Sequence, residues 1–224
     1  AGKEGEIRRL LKRISLLCMV IFAATSILVF GFQNETIDDT AASAIQSLRS
    51  DTLTPVVKLI TSFGSAKVEI PIAVVIAIWL IVRYRANLKA VMVLGSLFGA
   101  IVLNLLLKNV FGRPRPDINR LMEATGFSFP SGHAMMTSAF YGMIFYLLCS
   151  YFRGRSRAAA VTSGVFGITW IIVMGLCRVY LGVHYFTDII AGISVGGLWL
   201  CVLIGVLRRK DRADGARVLQ EMPR

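Results

Sequence analysis

Six apolar stretches recur along the chain and predict membrane-spanning helices. Five of them approach the roughly 20 residues that a helix needs to cross the hydrocarbon core of a bilayer. The second is shorter, and it spans only if its helix begins near Gly64, with Lys67 and Glu69 reaching toward the headgroups. The pattern therefore predicts an all-α bundle of six transmembrane helices, over about residues 14–32, 70–82, 88–107, 134–152, 158–176 and 189–207.

Two connections between these stretches are long. Residues 33–67 carry apolar residues at three- and four-residue steps among Asp38, Asp39 and Asp51. This favours short amphipathic helices in the membrane interface over a merely solvated connection, and such helices are a candidate lid over the path of an apolar substrate tail. Residues 108–131 contain five helix-breaking glycines and prolines, which mark a shaped loop.

Composition agrees with a membrane protein. The chain has 224 residues, of which 55% are hydrophobic and 17% charged, too apolar for an ordinary soluble domain. The length fits one domain over residues 1–224, with residues 1–13 and 208–224 as polar end segments. The first apolar stretch is too long for the core of a signal peptide and no cleavage pattern follows it, so we expect it to stay in the protein.

The basic residues predict the orientation in the membrane. With the N-terminus in the cytosol, 17 of the 25 Lys and Arg residues fall on the inner side, and the outer side is neutral overall. Positive residues near helix ends favour the cytosolic side, so both termini are expected there, in the cytoplasmic membrane. A nucleic-acid partner is not expected, because no basic segment with interleaved stacking aromatics is present.

Three charged clusters lie at helix ends on the predicted outer face. The first runs from Lys108 to Pro116 and carries Arg115 between two prolines, which fix the backbone of a guanidinium suited to phosphate oxygens. Taken alone, this cluster has a structural explanation, since a cation such as Lys108 is favourable at a helix C-terminus.

The second cluster is Pro130-Ser131-Gly132-His133. Ser131 is a predicted N-cap, and the N–H groups of a helix start attract anions. Gly132 would permit close approach of the backbone to a ligand, and His133 would then stand at a bound phosphate as a proton donor. A capped helix with one His is commonplace when considered alone.

The third cluster contains Arg178, His184 and Asp188. On a helix, His184 and Asp188 would share a face one turn apart, and the carboxylate would fix the imidazole tautomer and leave the other nitrogen free to attack. A surface hydrogen bond or half of a metal site are the alternatives. We expect no metal, because the chain has only two His and no carboxylates cluster beside them.

The cysteines carry no paired spacing. Cys18, Cys149, Cys177 and Cys201 lie within or at the end of apolar stretches. We expect each to be a small buried apolar residue, with no disulfide and no zinc site.

The three clusters together resemble the three-part signature of the PAP2 (type 2 phosphatidic acid phosphatase) superfamily. The signature is carried by Lys108-x6-Arg115-Pro116, by Pro130-Ser131-Gly132-His133 and by Arg178-x5-His184-x3-Asp188. One departure is visible: Cys177 stands where the third motif usually has Ser, and a thiol is the weaker hydrogen-bond donor.

The resemblance implies a PAP2/haloperoxidase-like bundle and a lipid phosphatase that needs no metal or cofactor. His184 would attack phosphorus, Asp188 would orient it, and His133 would protonate the leaving oxygen. The phosphate would be held by Lys108, Arg115, Ser131, Gly132 and Arg178. Soluble haloperoxidases that hold vanadate share this constellation, but the membrane spans argue against that branch.

The favoured substrate is undecaprenyl diphosphate, because that carrier is released on the outer side of the membrane. Phosphatidylglycerophosphate, phosphatidic acid and lipid A are the alternatives as substrates. A membrane transporter or scaffold without enzyme activity is the alternative from another class. The sequence leaves the oligomeric state open.

Overall fold

The structure is a computed structural model that describes residues 2–33, 35–117 and 119–221. Its regular elements are eight α-helices, the first of which continues as a π-helical turn over Ile27–Gly31. Ala1 of the predicted N-terminal segment and residues 222–224 of the predicted tail lie outside the described residues. The helices are α1 (Gly2–Ser26), α2 (Thr36–Gln46), α3 (Leu53–Ser62), α4 (Ala66–Tyr84), α5 (Asn87–Phe111), α6 (Gly132–Phe152), α7 (Arg157–Tyr180) and α8 (Phe186–Glu221).

The predicted membrane bundle is confirmed. In the described chain, five helical segments are long and apolar enough to cross a bilayer, and α4 supplies a sixth when taken with α3, to which it is joined at a bend of 48°. The five are Glu4–Gly31, Asn87–Phe111, Gly132–Phe152, Arg157–Tyr180 and Phe186–Asp211. The chain is therefore a multi-pass membrane protein.

Helix α4 differs from the sequence prediction at one residue. It begins at Ala66, close to the predicted start, and Lys67 is exposed as expected. The prediction that Glu69 reaches the headgroups is wrong, because its side chain is fully buried and Thr137 of α6 donates to its Oε1 at 3.2 Å. Within the described residues its Oε2 has no hydrogen-bond partner. Packing inside the bundle thus overrides the tendency of an acid near a helix start to point toward water.

Helix α6 is the centre of the bundle and packs against α5, α7 and α8. Its approach to α8 depends on Gly192 and Gly196, which form a small-xxx-small pair of the kind that lets membrane helices pack closely. A Cβ atom at Gly192 would lie 2.6 Å from the carbonyl oxygen of Ser131, and one at Gly196 would crowd the carbonyl of Met135. This close packing sets the start of α8 against the start of α6.

The predicted amphipathic helices of the first long connection are confirmed as α2 and α3. Their junction is fastened to the end of α7: Gln46 donates to the carbonyl of Val179 at 3.1 Å, and Arg49 donates to that of Tyr180 at 2.8 Å. The hydroxyl of Tyr180 in turn bonds Thr54 at 3.0 Å. The segment is therefore a fastened part of the bundle in this structure, which does not support the predicted lid.

A Gly196→Ala substitution should destabilise the protein, because the new methyl group meets the backbone of α6. Overpacking of this kind costs about 1–3 kcal/mol. Gly205→Ala on the same helix is the matched control, since a Cβ atom there meets nothing within 4 Å and alanine is the better helix former. Thermal unfolding in detergent should show a lower midpoint for Gly196→Ala alone, and equal midpoints for the two variants would contradict this packing.

Candidate active site

The imidazole of His184 meets the carboxylate of Asp188 at the start of α8. His184 Nδ1 lies 3.2 Å from Asp188 Oδ2. The predicted contact is thus present, but its predicted basis is wrong: α8 begins at Phe186, so His184 lies before the helix. Asp188 is the third helical residue, and its carboxylate also accepts the N–H of Tyr185 at 3.0 Å, which is half of a capping box.

The contacts of His184 define its tautomer. The carboxylate of Asp188 only accepts, so Nδ1 carries the proton. On the other side, Arg115 Nη1 lies 3.1 Å from Nε2, and a guanidinium only donates, so Nε2 presents its lone pair. The nitrogen remote from Asp188 is therefore the one whose lone pair is available.

Burial keeps His184 neutral. The residue is 3% exposed, and desolvation lowers its pKa to about 4, with Arg115 and Arg178 adding to the effect and Asp188 opposing it. The neutral form therefore dominates at all pH values well above 4, and attack requires that form.

Arg115 is held rigidly, as predicted, although backbone carbonyls rather than the flanking prolines make the visible contacts. It donates to the carbonyls of Gly126 and Thr125 at 3.0 Å and to that of Val183 at 2.8 Å. With the bond to His184, these contacts use all but one of the five guanidinium N–H groups. A bound phosphate oxygen can take that last group and also replace His184 as a partner.

Arg178 lies in the last turn of α7 and is 4% exposed. Its Nη1 donates to Thr61 Oγ1 at 3.3 Å, and its buried Nε has no partner among the described residues. A buried, unpartnered guanidinium N–H is costly. An anion in the site would satisfy it.

The start of α6 places three of the predicted residues. Ser131 is the N-cap, as predicted, and its Oγ accepts from Ala134 N at 3.5 Å. Packing alone explains a glycine at position 132, whether or not a ligand binds there, since a Cβ atom at Gly132 would lie 2.9 Å from Asn104 Oδ1. His133 follows, within electrostatic range of His184 and Arg178. The N–H of Ser131 also bonds the carbonyl of Asp188 at 3.0 Å, which ties the two helix starts together.

Lys108 completes the set from α5. It lies in the last turn of that helix, as predicted, and Gly112 ends the helix with a φ of 60°. Its charge lies within electrostatic range of Arg115, Arg178 and Asp188. All eight residues predicted from the sequence thus come together at one end of the bundle.

Two further residues hold Asp188 and were not predicted. Arg113 Nη1 donates to Asp188 Oδ1 at 2.8 Å, and Ser128 donates its hydroxyl to Oδ2. Arg113 was visible in the first cluster, two residues from Arg115, but nothing in the local sequence assigns it to a carboxylate. Ser128 carried no signal at all.

The metal-binding side chain types do not cluster in the described part of the chain. Among the described residues, no group of three or more His, Cys, Asp or Glu could hold a metal ion. The four cysteines are free, and Cys177 is 5% exposed in an apolar cluster with Val57 and Leu181. The thiol in place of the usual serine thus packs among apolar side chains.

A cavity of about 340 Å³ lies beside the site. It is bounded by Phe30 of the π-helical turn after α1, by Phe111 of α5, and by Arg113 and Tyr185. Phe22 and Phe129 extend this aromatic wall into the bundle. A second cavity of about 500 Å³ lies in the loop around residues 120–125 and is lined by none of the eight predicted residues.

Comparisons with known proteins show the family to which the chain belongs. The family model of the PAP2 superfamily matches residues 89–212, more than half of the chain. Phosphatidylglycerophosphatase B of Bacillus subtilis is 31% identical over 87% of this chain and 94% of its own. An undecaprenyl-diphosphatase of Sulfolobus acidocaldarius is 29% identical over 85% and 87%, and a lipid A 1-phosphatase of Rhizobium etli is 34% identical over 49% and 46%.

A solved structure has the same fold. The crystal structure of a transmembrane PAP2-type phosphatidylglycerolphosphate phosphatase from Bacillus subtilis superimposes with a TM-score of 0.78 at 26% identity. The match covers 87% of this chain and 96% of that one.

The ring of His184 should remain neutral from pH 8 down to about pH 4, because burial lowers its pKa to about 4. The chain has two His, so a His133→Gln variant with isotope-labelled histidine gives a single imidazole signal. Nuclear magnetic resonance titration in detergent micelles measures the midpoint. A midpoint near the ordinary value of about 6.5 would contradict the buried, Asp188-bonded arrangement.

Proposed function

The chain belongs to the PAP2 superfamily and is a membrane phosphatase, and from that premise we propose that it dephosphorylates a lipid phosphate or diphosphate through a phosphohistidine at His184. The observation that carries this proposal is the placement of a neutral His184, with its Nε2 lone pair facing Arg115, among the cations of Lys108 and Arg178. Phosphoryl transfer needs a positioned nucleophile and charges that match the phosphate oxygens.

In the first step, His184 Nε2 attacks phosphorus while the bond from phosphorus to the lipid oxygen breaks. His133, which takes up a proton when the negative phosphate binds beside it, gives that proton to the leaving oxygen, and the lipid alcohol or the shortened lipid phosphate leaves. Asp188 keeps the proton on Nδ1 and stabilises the positive charge that develops on the ring. In the second step, His133 takes a proton from water, the water oxygen attacks phosphorus, and the bond to Nε2 breaks to release inorganic phosphate.

The contacts of Arg115 suggest that it controls access to the lone pair of His184. In this structure one of its N–H groups donates to the lone pair of His184. When a phosphate oxygen takes over that N–H group, the lone pair is released at the moment the substrate arrives. Lys108 and the buried Nε of Arg178 supply the other charges for the equatorial oxygens, where preorganised donors contribute most to catalysis.

These roles require no metal ion or cofactor. Three cations supply the charge that a metal would otherwise bring to a transferring phosphoryl group. A transporter or scaffold would have no need for a nucleophile, its orienting acid and a proton donor in one pocket, so we favour the enzyme.

The charge pattern supports a proposal for the orientation in the membrane. We place both termini in the cytosol and the active site at the outer face of the cytoplasmic membrane, because 17 of the 25 Lys and Arg residues then lie inside. We favour undecaprenyl diphosphate as the substrate, since it is released at that face. Phosphatidylglycerophosphate is the second candidate, because the relative from Bacillus subtilis that matches over nearly its full length is named for it.

Purified protein should release phosphate from lipid phosphates in the presence of EDTA, and His184→Ala should abolish this release because the nucleophile is lost. Asp188→Asn should lower kcat by about 10⁴-fold, by analogy with the serine triad, in which the wrong tautomer has that cost. Released phosphate is measured by colorimetry in detergent micelles. Asp39→Asn, an exposed acid on α2, is the control for loss of a negative charge. Turnover retained in His184→Ala would exclude the assigned nucleophile.

A panel of pure lipid substrates in bilayers should identify the preferred headgroup. We expect the highest kcat/KM with undecaprenyl diphosphate, then with phosphatidylglycerophosphate, and lower values with phosphatidic acid and lipid A. Sealed vesicles that present substrate only on the side of the protein's termini should give no release. A preference for phosphatidylglycerophosphate would replace the favoured substrate, and turnover from the terminal side would overturn the proposed orientation.

A further inference from the structure

Asp38 is a buried acid on α2, the first helix of the long connection after α1. Its side chain is 1% exposed, although its neighbour Asp39 on the same turn is exposed. Both oxygens of Asp38 accept hydrogen bonds from groups at the catalytic end of the bundle. An acid is almost never buried this completely unless it is paired, so its partners are informative.

The first partner of Asp38 is Arg113. Arg113 Nη2 donates to Asp38 Oδ2 at 2.8 Å, and Nη1 of the same guanidinium donates to Asp188 Oδ1 at 2.8 Å. One planar cation thus joins the two carboxylates, and the ring of Tyr185 stacks on it with its centroid 3.8 Å from Cζ. The two carboxylates together raise the pKa of Arg113 although burial acts to lower it.

The second partner is Thr187, in the first turn of α8. Its backbone N–H donates to Asp38 Oδ1 and its hydroxyl donates to Asp38 Oδ2, both at 2.8 Å. The hydroxyl of Thr187 also accepts from Arg113 Nη1 at 2.8 Å. Asp38 therefore caps the start of α8 from another helix, one residue away from Asp188, where the helix dipole favours negative charge.

The burial of the ion pair between Asp38 and Arg113 argues for a role beyond holding α2 in place. A buried ion pair is weak evidence for stability, because the cost of removing the charges from water offsets their attraction. Here the shared cation fixes the position of the very carboxylate that sets the tautomer of His184. Misplacement by about 1 Å in such an arrangement can cost roughly 100-fold in rate.

We propose that Asp38 is a positioning residue for catalysis, which acts through Arg113 and Thr187 to hold Asp188 against His184. The seating of α2 on the start of α8 is then a requirement for turnover. This inference rests on the proposed function, since it takes His184 as the nucleophile.

The test compares Asp38→Asn with Asp39→Asn, which removes the same charge one residue away. Asp38→Asn should lower kcat by about 100-fold with KM changed by less than about 3-fold, because Asp38 touches no substrate. Asp39→Asn should have the kcat of the unmodified protein. Asp38→Glu restores the charge on a longer arm and should recover part of the loss. An unchanged kcat in Asp38→Asn would overturn the proposal.

A double-mutant cycle decides whether the effect passes through Arg113. In an Arg113→Gln background, adding Asp38→Asn should lower kcat by less than about 3-fold, because the connection is already broken. A full additional loss of about 100-fold would show that Asp38 acts elsewhere and would overturn the proposal.

The nitrogen chemical shifts of His184 measure the tautomer of its ring and do not require turnover. In His133→Gln protein they should report a single tautomer protonated at Nδ1, and addition of Asp38→Asn should produce a mixture of tautomers. An unchanged tautomer with an unchanged thermal midpoint would reject the positioning role.

If the unmodified protein releases phosphate from no lipid, the proposed function fails, whereas the tautomer measurement still tests the link between Asp38 and His184. If Asp38→Asn does not yield folded protein, Asp38→Glu decides, and full kcat with an unmixed tautomer would overturn the proposal.

Discussion

The arrangement of this active site depends on keeping the carboxylate of Asp188 charged where water does not reach it. Its side chain is fully buried, and an uncompensated charge in such a place costs several kcal/mol. Four donors compensate it, from Arg113, Ser128, His184 and the backbone of Tyr185. Because these donors come from the loop after α5 and from the start of α8, satisfying one charge brings the separate motifs into one pocket.

The sequence revealed those parts of the site that lie close together along the chain. The four-residue spacing of His184 and Asp188 was enough to predict their contact, even though the residues meet at a helix start rather than on a helix face. Asp38 could not be found in the same way, since it bonds Thr187 across 149 positions. Its apolar neighbours predicted an amphipathic helix correctly, but hydropathy does not distinguish the buried Asp38 from the exposed Asp39.

The membrane spans were predictable from the sequence for a physical reason. A bilayer imposes helix length and apolar composition directly on the sequence, so the spans could be read without tertiary information. Glu69 was misplaced because the same pattern does not say which side of a helix faces the bundle. The pair Gly192 and Gly196 was not predicted, although its four-residue spacing is typical of close helix packing, and it brings the starts of α6 and α8 together.

The charges of the pocket residues bear on which phosphates the proposed phosphatase accepts. The charge of Asp188 and that of Asp38 are met by Arg113, which leaves one net negative charge against the cations of Lys108, Arg115 and Arg178. With both imidazoles neutral, the pocket has about two positive charges in excess, which matches a phosphate monoester at about −2. A phosphodiester, the form found in bulk phospholipids, carries a single charge and a second substituent where the equatorial cations lie. Charge balance therefore favours terminal phosphates and diphosphates over the lipids that surround the protein in great excess, without any contact to the lipid tail.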